Sequence, residues 1–152
     1  MSIDKLSPWI SVMTNIGVLI GIALLLFELS QNNQMLEIQS DDANFSHWTA
    51  LNRTIATSPE LADIVIRGNA DLDALSPADL LRYGHYQTNY LNVLEHSYHA
   101  ARRGHSVGTE EVYAAVLIDN LSYPGARAFY ERYKMFFSEE FVSWADQLLS
   151  ET

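Results

Sequence analysis

The chain has no cysteine. That removes disulfides, thiol catalysis and thiolate metal ligation, and it leaves the compartment open, because cysteine-free chains suit any redox environment. Basic residues are also scarce. Nine lysines and arginines face nineteen aspartates and glutamates, for a formal charge of −10. An acidic surface of that kind repels phosphate backbones, so no nucleic-acid partner is expected. No stretch alternates polar and apolar residues between turn signals, so no strands are expected. The short motifs of catalysis are missing as well. No serine sits in a G-x-S-x-G turn, and the glycines of Gly104-His105-Ser106-Val107-Gly108 lack the lysine and preceding strand of a phosphate loop.

What the chain does have is a long apolar run. From Leu6 to Phe27 it carries no formal charge, and Ile16 to Phe27 is apolar throughout. At ~1.5 Å per residue a helix over that run reaches about 33 Å, enough for the hydrocarbon core of a bilayer. Trp9 stands at one end, where an indole favours the interface. A cleaved secretory signal would have a more basic start and a small-residue cleavage site, whereas here Asp4-Lys5 opens the run and Phe27-Glu28-Leu29 closes it. Residues 1–30 therefore read as a membrane anchor spanning about 8–28, and residues 31–152 as a helical domain. Burial inside a soluble bundle is the rival reading, since Asn15 is costly in lipid. Gly17 and Gly21 form a G-x-x-x-G pair that lets helix backbones approach closely, and Asn15 would seek a polar partner across such an interface. These three are the expected helix-packing residues of the anchor.

No proline or glycine interrupts Ile22 to Thr57, so the anchor helix is expected to continue out of the membrane. Met35, Ile38, Phe45, Trp48, Leu51 and Ile55 recur at helical steps, mostly on one face, which is expected to pack against either the downstream helices or a partner. Beyond it, Ser58-Pro59-Glu60 and Ser76-Pro77-Ala78 each place a capping serine before a proline at the first helical position. The first of these predicts a short helix ending at Gly68-Asn69, followed by a polar connection from Ala70 to Ala74. The second opens a long helix to about Arg103. Further helices are predicted from Thr109 to about Asn120, from Tyr123 through the aromatic-rich stretch to Phe137, and from Ser138 onward. The fold class read from this pattern is all-α: an N-terminal transmembrane helix continuing into a small helical bundle.

Several of these segments together resemble a family of small bacterial proteins with one N-terminal membrane helix and a C-terminal helical domain, for which no activity is established. The residues that carry the resemblance are Gln31-Asn32-Asn33, Ser58-Pro59-Glu60-Leu61-Ala62, Leu75-Ser76-Pro77, Pro124-Gly125-Ala126-Arg127-Ala128-Phe129-Tyr130 and Phe137-Ser138-Glu139-Glu140-Phe141. The resemblance implies a single-pass protein of the bacterial inner (plasma) membrane. That family often carries an arginine at the membrane junction, which implies a cytoplasmic domain, but this chain has Glu28 and Ser30 there. The charge asymmetry around the run favours the opposite side and rests on Lys5. The side of the helical domain is therefore unassigned.

Chemistry is sparsely indicated. Glu95 and His99 share one helix face and form the weak metal candidate, yet no second Glu/His pair completes a di-iron set and no H-E-x-x-H occurs. No catalytic residue, bound metal or cofactor is assigned. Arg102, Arg103 and Arg127 are possible partner-binding residues, although arginines at a helix C-terminus also complement the helix dipole. The aromatics from Tyr83 to Phe141 read first as core and second as a pocket lining. The expected function is protein–protein binding at a membrane, with partners among the lipid bilayer, copies of this chain or other membrane subunits. It would act as a homo-oligomer or as an accessory subunit of a membrane complex. The rival is a ligand sensor or metal-dependent enzyme with an aromatic-lined pocket in the helical domain.

Overall fold

A computed structural model describes residues 7–106 and 108–151. Six α-helices account for most of them and no strand occurs among them, so the chain is all-α. The helices are α1 (Ser7–Thr57), α2 (Pro59–Ala70), α3 (Pro77–Arg102), α4 (Glu110–Leu121), α5 (Pro124–Tyr133) and α6 (Glu139–Ser150), with single 3-10 turns at Leu72–Ala74 and Lys134–Phe136. The serine caps form as the sequence predicts. Ser58 Oγ accepts from the Leu61 amide at 3.2 Å, Ser76 Oγ from Asp79 at 3.2 Å and Ser138 Oγ from Phe141 at 3.4 Å. Prolines start α2, α3 and α5, where a missing N–H removes nothing from the helix. Gly104, with φ +69°, ends α3, and the amides of Gly104 and His105 turn back to the carbonyls of Ala101 and Ala100 at 3.0 and 2.9 Å. That left-handed residue is the reason for a glycine there.

The chain divides into two compact units, Met1–Ile38 and Gln39–Thr152. Within the first, one stretch is long and apolar enough to cross a bilayer, and every described side chain from Val12 to Leu36 is exposed. Lys5, which carries the orientation reading, and Leu6 lie outside the described residues.

The second unit has a core drawn from every helix after α1. Ile64, Tyr83, Leu91, Leu94, Tyr98, Leu117, Tyr130 and Phe141 are essentially solvent-free. Tyr98 stacks on Trp144 at 4.3 Å between ring centroids, and Tyr83 meets Phe129 edge-on at 6.0 Å. Burial raises the Tyr83, Tyr90 and Tyr130 phenols above their ordinary range. The Tyr83 and Tyr130 hydroxyls find carbonyl or carboxylate partners, on Asn69 Oδ1 at 2.8 Å and Asp146 Oδ1 at 3.0 Å.

The structure differs from the sequence reading at three places. The packed face of α1 in the second unit is Asn44, Trp48, Leu51 and Ile55, whereas Phe45 is 74% exposed. At about 100° per residue, Phe45 is rotated off the seam that Asn44 leads. Met35 and Ile38 belong to the first unit and are exposed there. Asn44 is buried because its amide is satisfied: Ser97 Oγ donates to Asn44 Oδ1 at 2.7 Å, and Asn44 Nδ2 donates to Tyr113 Oη at 3.4 Å. Likewise α2 runs through Gly68-Asn69 and ends at Ala70. Gly68 is buried within the helix, where the Tyr83 ring and the Gly125 backbone press against it. The connection after α2 is not wholly polar either, because Leu72 enters the core from the 3-10 turn.

Candidate functional site

Glu95 and His99 do lie together on α3, and both turn towards the first residues of α6. Glu95 Oε1 accepts from the Ser138 amide at 2.7 Å, while His99 Nε2 lies 3.0 Å from Ser138 Oγ. His99 Nδ1 is 3.7 Å from Glu140 Oε2, and Nε2 is 3.9 Å from Glu95 Oε1. An unpaired amide at a helix start is a demanding donor, and a carboxylate satisfies it well. The pair thus joins α3 to α6. Among the described residues no three His, Asp or Glu side chains gather to hold a metal.

The basic candidates separate. Arg102 Nη1 donates to Tyr98 Oη at 2.8 Å and lies 3.1 Å from Glu140 Oε1, so its head group is engaged within the chain. Arg103, at the end of α3, and Arg127, on α5, are exposed and form no ion pair among the described residues. Within the first unit, Asn15, Gly17 and Gly21 are all exposed, and a Cβ added at either glycine would meet nothing within 4 Å. The glycines share one side of the helix. Asn15, two positions before Gly17, falls about 200° round the axis and so faces elsewhere.

The clearest concavity of the helical domain lies between α3, α5 and the Lys134–Phe136 turn. It is a groove of ≈ 440 Å³ walled by Leu80, Leu81, Phe129, Tyr133, Phe136 and Phe137, with His85 and Thr88 as polar side chains at its edge. Gly84 forms part of the floor, and a Cβ there would touch the Phe129 ring at 3.5 Å. Sequence patterning supplied its aromatics but not their division. Phe129 is buried, whereas Phe136 is 76% exposed, since the helix stops at Tyr133 and the tight turn carries Phe136 out of register. A second crevice of ≈ 400 Å³ runs beside Leu51, Leu61, Arg82 and Tyr86, and His85 borders both.

Two buried polar groupings carry no motif in the sequence. One is the Asn44–Ser97–Tyr113 set. The other joins Gln87 Nε2 to Asn120 Oδ1 at 2.6 Å, leaving Gln87 Oε1 without a partner among the described residues. Their one sequence signal was an amide at a helical core position. The arrangement offers binding surfaces and helix-to-helix clasps, and the hydroxyl that lies beside the His99 imidazole, Ser138 Oγ, also accepts from the Phe141 amide as the cap of α6. No protein-family model, curated protein or solved structure matches this chain.

Proposed function

We propose that the chain is a single-pass protein of the bacterial inner membrane that acts by binding other proteins, as a homo-oligomer or as an accessory subunit of a membrane complex. The observation that carries this reading is the apolar stretch of α1, whose described side chains from Val12 to Leu36 are exposed. Apolar surface on that scale calls for lipid, other chains or both. The open flank at Gly17 and Gly21 suits a close helix neighbour, which in lipid is driven by packing and not by hydrophobic exclusion. The groups most suited to chemistry, Glu95, His99 and Arg102, are committed to joining α3 with α6. Replacing Gly17 and Gly21 by leucine is expected to weaken association of labelled chains in bilayers, read by energy transfer. Unchanged transfer at every lipid dilution would remove self-association through that face.

A second reading is favoured by the groove, whose size and aromatic walls also suit a small apolar ligand. In that reading the domain is a ligand sensor. Filling the floor with Gly84→Leu would abolish ligand-dependent protection from proteolysis, and no protection by any apolar ligand would end it.

A further inference from the structure

The helical domain leaves an apolar knuckle uncovered beside its groove. Met135 is 75% exposed, Phe136 76% and Leu81 64%. Met135 and Phe136 are consecutive in a one-turn helix, where a side chain has little of its own chain to lie on. The adjoining residues are locally basic in an acidic chain: Arg127, Arg132 and Lys134 stand against Glu131 alone on α5 and the turn. Lys134 pairs with both Glu131 and Asp146 at 3.0 Å and Arg132 approaches Asp73 at 3.8 Å, all near the surface, while Arg127 has no such partner among the described residues.

We infer that this knuckle is a second membrane contact, in which Leu81, Met135 and Phe136 enter the headgroup boundary of a bilayer and the adjoining Arg132 and Lys134 meet lipid phosphates. The inference rests on the anchored reading given above. Three considerations select lipid over another protein. Three exposed side chains amount to a few hundred Å², well short of the roughly 800 Å² per partner of a stable protein interface. Apolar side chains flanked by basic ones match the two components of interfacial binding, burial at the acyl boundary and attraction to phosphate. An anchor in the same chain holds the domain at the membrane with an effective concentration of about millimolar, so a contact too weak to act alone is sufficient.

The cysteine-free chain allows a direct test. Phe136→Cys, and Ser143→Cys on the exposed side of α6 as a control, are labelled with an environment-sensitive fluorophore in the full-length protein. Each is placed in phosphatidylcholine nanodiscs at one chain per disc. Position 136 is expected to emit to the blue and to be quenched severalfold more by shallow nitroxide-bearing lipid than position 143. Water-like emission at both positions overturns the inference. So does a blue shift at 136 that nitroxide lipid leaves unquenched, or one that appears only when several chains share a disc, since protein and not lipid then covers the knuckle. Alkaline extraction of the same discs reports separately on the anchor. A chain that resists extraction but shows no quenching at 136 retains the anchored reading and loses this one.

Discussion

Replacing Gly125 by alanine should destabilise the helical domain although it adds one methyl group. Gly125 is the second residue of α5, and its Cα is pressed against the α2 backbone. An added Cβ would overlap the Gly68 carbonyl oxygen, lie 2.9 Å from the Gly68 carbonyl carbon and lie 3.1 Å from the Asn69 carbonyl oxygen. Those are main-chain atoms, so no side chain can rotate aside and the two helices must separate. Overpacking of this kind costs about 1–3 kcal/mol, while the helix preference of alanine over glycine returns at most ~1 kcal/mol. A net loss of about 1–2 kcal/mol would lower the unfolding midpoint by roughly 4–10 °C in a domain of this size. Near-ultraviolet circular dichroism of the full chain in mild detergent reads it, because Trp144 is stacked on Tyr98 only in the packed domain. Gly17→Ala and Gly21→Ala are the internal comparison, since open space flanks both and no loss is expected. A Gly125→Ala midpoint equal to that of the parent would refute the close α2–α5 crossing.

Removing the Glu95 carboxylate with Glu95→Ala should cost about 1 kcal/mol through the lost acceptor for the Ser138 amide, measured by urea unfolding, with the metal content of the purified protein unchanged. Asn44→Ala should destabilise by about 1–3 kcal/mol through loss of the amide's two buried hydrogen bonds, although the Ser97 and Tyr113 hydroxyls keep the Val93 carbonyl and Ser106 Oγ as partners; a neutral result would mean that α1 is not fixed there. Alkali should unfold the domain in a particular window. Burial holds the Tyr83, Tyr90 and Tyr130 phenols above the ordinary value of about 10, so the unfolded chain loses those protons first. Their contribution is complete below about pH 10 and falls as pH rises through the higher folded values. Tyrosinate absorbance and circular dichroism should therefore change together above that pH, and a tyrosinate step preceding any loss of structure would contradict the burial.

Helix positions were legible because their signals are local. Ser58-Pro59, Ser76-Pro77 and Ser138-Glu139 cap their helices through groups a few residues away, and Gly104 ends α3 by its own backbone conformation. Partners across the chain were not legible. Glu95 and Ser138 are 43 residues apart, and nothing in either segment names the other. Gly68 reads as a helix stop when taken alone. Only its neighbours Tyr83 and Gly125 show it to be a packing glycine. Asn44 was passed over in favour of Phe45 because apolar character alone marked the expected face, whereas a satisfied amide is equally at home in a core. An aromatic-lined pocket was legible as the second reading of the rings from Tyr83 to Phe141, but which of them wall it was not. Its aromatics looked uniform in sequence, and the one-turn helix that exposes Phe136 has no strong composition signal.

The mass of the protein extracted from membranes in mild detergent, with every co-purifying chain identified, bears most directly on the proposal that it acts by binding other proteins. The account predicts either a homogeneous homo-oligomer or a fixed ratio of this chain to foreign subunits. A lone monomer, unaccompanied in native membranes and unchanged by cross-linking there, would contradict it.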